Sequence, residues 1–301
     1  MQKATINIDA TINSGQVFLW NKIGSEWIGI DGQNFIILRQ SPFSAKSSLN
    51  NVNNFLRQDD DIERILKNIS RDAIVRNATK QSPGLRLLRQ DPFQCYISFI
   101  CSSNASIQNI KLMLTKLCKK FGSQVDINGY KLFTFPREET LANTSIKGLH
   151  DCGLGFRAKY VKEAAKAVCC GKIDFNSLRL ADYKIASGIL KEIPGIGNKI
   201  ADCILLFSLD KMDAFPIDRW MQRILLKYYH KNFDDVTEKP LTEKNYERLH
   251  DRIVQYFGPY AGYAQQFLFK MERDLNKKKL VVKTLNMAAY CPIFGPVAQH
   301  G

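Results

Sequence analysis

Residues 190–203 read LKEIPGIGNKIADC, and the order of residue types in them decides the fold. Leu190 and Ile193 end one amphipathic run, and Ile200, Ile204 and Leu205 begin another. Between them Pro194 halts the first helix and Gly195 and Gly197 turn the chain, glycine being the residue that takes positive φ without steric cost. The stretch is therefore helix, tight turn, helix. A bare turn needs one glycine. Two of them at a helix start let a partner approach the backbone while the helix's free N–H groups point outward, an arrangement suited to phosphate.

Lys199 lies in the first turn of the second helix and shares a face with Cys203 and Phe207, its i+4 and i+8 neighbours. Apolar neighbours and the positive end of the helix dipole both disfavour an ammonium there, and a neutral amine is a nucleophile that can form a Schiff base. The plainer reading is a phosphate-binding or solvated lysine. Nineteen residues further on, AFPIDRW (214–220) places Asp218 at a helix start, after Pro216 and before the apolar run from Trp220 to Tyr229. An aspartate there caps the helix. It can also stabilise positive charge developing on a sugar and manage protons near Lys199.

Around this centre the chain has 301 residues, enough for one large core or two smaller ones, with 45% hydrophobic and 24% charged residues as in a folded soluble protein. No run of about 18 apolar residues occurs, so no transmembrane helix is expected. The opening MQKATINIDA lacks the layout of a signal peptide, and an intracellular protein is expected. Eight cysteines fall mostly in apolar helical patterns without C-x-x-C spacing, which reads as free thiols and no metal site. Only Cys291 follows Cys203, which excludes a four-cysteine iron–sulfur loop after the hairpin. Lys and Arg number 43 against 29 Asp and Glu, a net charge of +14. Twelve Lys/Arg against five Asp/Glu between Ala105 and Lys172 supply half of that excess. The partner this suggests is a polyanion, nucleic acid or an acidic membrane; no basic helix has an apolar face free of the core, which argues against the membrane.

Residues 4–39 alternate in ATINIDA, GQVFLWNKI, EWIGI and NFIILRQ, with turn signals at Asn13-Ser14-Gly15, Gly24-Ser25 and Asp31-Gly32, the pattern of an antiparallel meander. From Val52 the period becomes helical, giving expected helices at 53–68, 92–103, 106–120, 156–170, 180–190, 198–208, 217–229, 242–257 and 260–275, interrupted by a hairpin in SQVDINGYKLF. The expected architecture is α+β: a small N-terminal antiparallel sheet domain with flanking helices (1–80), a larger all-helical domain (81–275) with its helix-hairpin-helix at 180–208, and a partly loose C-terminal tail (276–301).

LKEIPGIGNKIADC followed by AFPIDRW resembles the helix-hairpin-helix, Gly/Pro-rich loop and aspartate signature of the DNA glycosylase superfamily. SGQVFLW (14–20), GLRLLRQDPFQCYISFICSSN (84–104), GLGFRAKYV (153–161), KIADC (199–203) and GPYAGYAQQFLF (258–269) extend the resemblance to the 8-oxoguanine DNA glycosylase family, in order and over nearly the whole chain. The resemblance implies a monomeric glycosylase and AP lyase acting on double-stranded DNA that contains 8-oxoguanine, with no metal or organic cofactor needed for the chemistry and a hairpin whose backbone carbonyls can hold a monovalent cation in a structural role. Carried onto this sequence, the resemblance implies the following roles: Lys199 would attack the anomeric carbon and Asp218 would support the step. The Gly15 carbonyl accepts the N7–H that oxidised guanine has and guanine lacks. Cys203 and Phe269 sandwich the extruded base, with Phe207 on the same face, and Gln265 bonds its Watson–Crick edge. Asn104 and Phe156 fill and wedge the gap in the duplex, Arg157 bonds the cytosine opposite, and Gly195 and Gly197 meet phosphate.

Two departures stand out. A family member with strict opposite-base choice carries SSNNNIAR where this chain has SSNASIQN, so Asn109 replaces a second cytosine-reading arginine. Trp220 stands where a histidine often touches phosphate. Together they point to relaxed opposite-base preference. Two rivals are an alkylpurine DNA glycosylase, which uses the aspartate and generally lacks the lysine, and a non-catalytic DNA-binding protein, which gives Asp218 no role.

Overall fold

A computed structural model describes residues 6–127, 129–234 and 236–289, with side chains as far as residue 277. Helix α1 (Ile8–Ile12) comes first, then the strands β1 (Trp20–Ile23), β2 (Glu26–Asp31), β3 (Asn34–Arg39) and β4 (Ser44–Ser47). They form one antiparallel sheet in sequence order, with Ile23 opposite Glu26 and Asp31 opposite Asn34 across two-residue turns. The meander is thus as expected from Trp20 onward. ATINIDA is not a strand. Asn7 accepts a hydrogen bond from the Ala10 N–H at 2.9 Å, and Ile8, Thr11 and Ile12 are buried at helical spacing. β4, whose sequence SAKS has no apolar alternation, gave no sequence signal.

Next come α2 (Val52–Phe55), α3 (Ile62–Ile69) and α4 (Ala73–Gln81). The helix expected over 53–68 is broken because Arg57 takes φ +48° and Asp61 caps a new helix by accepting from the Arg64 N–H. Then follow α5 (Pro92–Cys101), α6 (Ile107–Phe121), the hairpin β5 (Gln124–Ile127) and β6 (Tyr130–Phe133), α7 (Glu138–Asn143), α8 (Ile146–His150), α9 (Arg157–Cys169) and α10 (Phe175–Leu180). The chain continues through α11 (Tyr183–Lys191), α12 (Asn198–Ser208), α13 (Arg219–Tyr229), α14 (Glu243–Phe257) and α15 (Ala261–Ala289). The helix expected at 180–190 begins at Tyr183, because Leu180 ends α10. The one expected at 260–275 runs on to Ala289, through the first part of the stretch read as a loose tail; residues 290–301 lie outside the described residues.

Two helices are apolar on all sides and sit at the centre. Every residue of α5 after Pro92 and every residue of α12 after Lys199 is buried. They run side by side in opposite directions: the Gln90 N–H before α5 donates to the Phe207 carbonyl near the end of α12, and Phe99 and Phe207 stack at 5.5 Å. This pairing brings the end of α5 beside the start of α12, where Lys199 stands.

The sheet is fastened to the helices by buried amides. Gln94 donates to the Ile30 carbonyl and accepts from the Gly32 N–H, while Gln16 donates to the Arg86 carbonyl and accepts from the Leu88 N–H. Asp31 lies in this junction. Burial, then the adjacent Asp91 carboxylate, holds its carboxyl well above the usual carboxylate range, against the Asp91 N–H donated to it at 2.9 Å. A carboxyl raised in the folded state contributes stability at low pH that is lost as pH climbs through its folded value. Asp31→Asn keeps the acceptor and removes the charge. It is expected to raise Tm at pH 7.5 and leave it nearly unchanged below pH 4, measured by calorimetry; a lower Tm at pH 7.5 would contradict this.

Candidate active site

The helix-hairpin-helix turn uses its two glycines differently. Gly195 has φ +91°, and a Cβ there would stand 2.6 Å from the Tyr160 ring, so the fold itself requires a glycine. Gly197 has an ordinary φ of −100°, and a Cβ there would meet nothing within 4 Å. It is the N-cap of α12, exposed, without a side chain over the free N–H groups behind it.

Lys199 reaches from α12 to the end of α5. Its amine donates to Ser102 Oγ at 3.1 Å and lies 5.6 Å from the centre of the Phe99 ring. Ser102 Oγ in turn donates to the Phe99 carbonyl at 2.6 Å, which turns its lone pairs toward the amine. Among the described residues no carboxylate is within ion-pair distance of Lys199. One turn on, Cys203 is 3% exposed, and burial holds its thiol protonated, pushed up to about 12.

Asp218 is the N-cap of α13, accepting from the Met221 N–H at 2.8 Å. The residue before it is held from behind. Tyr246 Oη accepts from the Ile217 N–H at 2.9 Å and donates to Asp202 Oδ2 at 2.6 Å, while Tyr183 donates to Asp202 Oδ1 at 2.6 Å. Burial raises the Asp202 carboxyl, and the nearby His250 at 4.0 Å and then the two phenols offset part of that.

Both residues face one cleft of about 1060 Å³. Its walls include Gly15, Asn104, Gly197, Cys203, Phe207, Trp220, Gln265 and Phe269, all singled out from the sequence. Gly15, at φ +96°, belongs to a turn clamped on both sides: Gln266 donates to the Ser14 carbonyl and Gln90 to the Gln16 carbonyl. Gln265 is 5% exposed. Its amide donates to the Pro216 carbonyl at 3.4 Å, while its Oε1 has no hydrogen-bond partner among the described residues. A buried acceptor left so costs about 1–3 kcal/mol unless something supplies a donor.

The other four candidates lie outside the cleft wall. Gly195 faces the Tyr160 ring, and Asn109 is exposed in the first turn of α6. Phe156, 54% exposed, and Arg157 begin α9 on the other side of the 102–106 loop. Arg157 is turned inward rather than presented. Nε and Nη2 donate to the Ser103 carbonyl and Nη1 to that of Leu154, with the guanidinium 4.5 Å from the Phe156 ring. It thereby fixes the loop from which Asn104, at φ +50°, projects. Ser102, Tyr246 and Asp202 were not found from the sequence, since their roles come from pairings across 97 and 44 residues.

Hairpin, cleft lysine and capping aspartate define a class. Residues 97–250 match the family described as HhH-GPD superfamily base excision DNA repair protein, and residues 1–96 match the 8-oxoguanine DNA glycosylase N-terminal domain. The N-glycosylase/DNA lyase OGG1 of Arabidopsis thaliana is 31% identical over 293 residues, covering 91% of this chain and 80% of its own length. An N-glycosylase/DNA lyase of Saccharomyces cerevisiae is 34% identical over 64% of this chain and 58% of its own. The Clostridium acetobutylicum 8-oxoguanine glycosylase/lyase, solved with dsDNA containing cytosine opposite to 8-oxoG, superposes with a TM-score of 0.82 at 27% identity, covering 91% of this chain and 93% of that one. This chain belongs to the 8-oxoguanine DNA glycosylase/lyase family, a family of DNA-repair enzymes.

Proposed function

We propose that this chain excises 8-oxoguanine from duplex DNA and then nicks the strand through a Schiff base on Lys199. The observation that carries the reading is the convergence on one cleft of an amine without a carboxylate partner, the Asp218 carboxylate and the buried Gln265 acceptor. The Watson–Crick edge of a guanine-type base offers adjacent N1–H and N2–H donors to an unpaired Oε1, where adenine sets an acceptor at N1 and keeps a single donor group at N6. With the base extruded, the Lys199 amine bonds to C1′ as the glycosidic bond breaks and the base leaves with a proton. The ring-opened Schiff base then loses a proton from C2′ and expels the 3′ phosphate. Asp218 stabilises the positive charge that builds on the sugar. Borohydride trapping on duplexes carrying 8-oxoguanine, guanine or an alkylated purine tests this. A covalent adduct on the 8-oxoguanine duplex alone is expected. Release of alkylpurine without adduct would favour the alkylpurine reading.

Opposite-base choice rests on fewer donors than in a strict enzyme. Three of the five guanidinium N–H groups of Arg157 are engaged by Ser103 and Leu154, and Asn109 is too short to replace a second guanidinium. Adenine or thymine opposite the lesion is therefore expected to slow excision by only about ten-fold, the value of a single lost base contact. Asn109→Arg is expected to widen that ratio. Single-turnover rates against all four bases decide it, and a preference for cytosine beyond about a hundred-fold in the unaltered protein would show that Arg157 suffices.

A further inference from the structure

Helix α15 carries Gln265 and Phe269 one turn apart, and one turn later it carries Arg273. The Arg273 side chain folds back over that turn. Its guanidinium carbon is 5.5 Å from the centre of the Phe269 ring, and Nη1 is 2.5 Å from the place a Cβ on Gly15 would occupy. It lines the same cleft as Lys199, Cys203 and Gln265. Its own bonding is thin: one long hydrogen bond, from Nη1 to the Asn13 carbonyl at 3.5 Å, and no ion pair among the described residues. A partly buried guanidinium with five donors and one distant acceptor is short of partners.

We propose that Arg273 reads the extruded base, donating to an exocyclic carbonyl next to N7–H of an oxidised purine. This rests on the reading of the cleft as an 8-oxoguanine site with Gly15 at N7. The purine ring then fixes what lies alongside. On one side of N7 is C8 with its oxygen, and on the other is C5, whose neighbour C6 bears O6. A donor packed against Gly15 faces one of those two oxygens. There it favours bases that show a carbonyl on this edge and stabilises the negative charge that collects on the base as the glycosidic bond breaks. Undamaged guanine also shows O6, so Arg273 does not exclude it; the Gly15 carbonyl, opposed to the lone pair of an unprotonated N7, does.

Binding titrations in a Lys199→Gln background test the assignment, using duplexes with 8-oxoguanine, 8-oxoadenine or a tetrahydrofuran abasic analogue. Adding Arg273→Leu, which keeps apolar packing on Phe269, is expected to weaken 8-oxoguanine binding roughly ten-fold, the scale of a lost hydrogen bond from a charged donor, and to leave the abasic duplex unchanged. Matching loss on 8-oxoadenine assigns the contact to O8, and no loss there assigns it to O6. Arg273→Leu in the otherwise unaltered protein is expected to slow single-turnover excision at least as much. Equal weakening on the abasic duplex would show a phosphate or structural role, and faster excision would show a side chain that obstructs the slot; either result overturns the proposal. If the unaltered protein releases no 8-oxoguanine, the underlying reading fails, whatever Arg273 does.

Discussion

Lys199→Gln is expected to abolish base release, strand cleavage and borohydride trapping together, while leaving duplex binding largely intact. Two lysine amines line the cleft, and Lys191 is held by Glu243 and Glu247 at 2.8 Å, which leaves the Lys199 amine as the one without a carboxylate partner among the described residues and able to bond to the sugar. Cys203 is one turn away, but burial keeps its thiol protonated, and a protonated thiol is a poor nucleophile. Glutamine is one bond shorter and keeps a polar end directed at Ser102, while the α5–α12 pairing itself is held by the Gln90 N–H on the Phe207 carbonyl and the Phe99–Phe207 stack, which the substitution leaves in place. The position is half-buried and Lys199 makes no ion pair among the described residues, which keeps the expected stability change within about 1 kcal/mol. The parts proposed to meet phosphate, the Gly197 turn and the basic stretch from 105 to 172, are untouched. Binding should therefore still fall steeply with salt, as it does wherever cations displace counterions from DNA. An adduct at the unaltered level in the variant would remove Lys199 from the chemistry, and a loss of binding equal to the loss of activity would make it a phosphate ligand.

The sequence was legible where a local rule has local consequences. The spacing of Leu190, Ile193, Ile200 and Ile204 around Pro194 and two glycines is realised as α11, the turn and α12, because apolar period and turn chemistry agree there. ATINIDA was misread because Ile6, Ile8 and Ile12 fit an alternating pattern and a helical face alike, and the Asn7 cap decides between them. SAKS is paired as β4 by its position beside β3 rather than by its own residues. At the site, Lys199 and Asp218 stood out because each sits in a helix start whose chemistry is local. Ser102 and Tyr246 did not, since a serine after a helix and a tyrosine in an amphipathic helix have many ordinary uses. Only packing joins the first to Lys199 and the second to the Ile217 N–H. Arg273 was invisible for the same reason: within MERDLNKKK it is one charge among many, and its distinction is that α15 aims it at Gly15.

Asp218→Asn is expected to slow excision by about 10²–10³-fold, the scale of removing one preorganised electrostatic partner from a transition state, with little change in stability. Two functions meet at this carboxylate, and the substitution separates them. As an N-cap, Asp218 accepts from the Met221 N–H, and asparagine caps nearly as well, so the helix should lose about 1 kcal/mol or less and Tm should fall by only a few degrees. As a charge, the carboxylate has no neutral substitute: an amide presents a dipole where the sugar's developing cation needs a full negative charge. The direction of the side chain is preserved in the variant, because it is set from behind by Tyr246 on the Ile217 N–H and by the two phenols on Asp202, none of which is altered. Asp218→Ala removes cap and charge together and should lose both stability and rate. The informative comparison is therefore between the two variants, by single-turnover excision and calorimetry on the same preparations. Rates that track Tm across asparagine and alanine would reduce Asp218 to a structural cap. A rate lost in both and a Tm lost only in alanine would leave the charge as the cause, because the asparagine variant keeps the cap, the backbone and the neighbours and lacks only the negative charge.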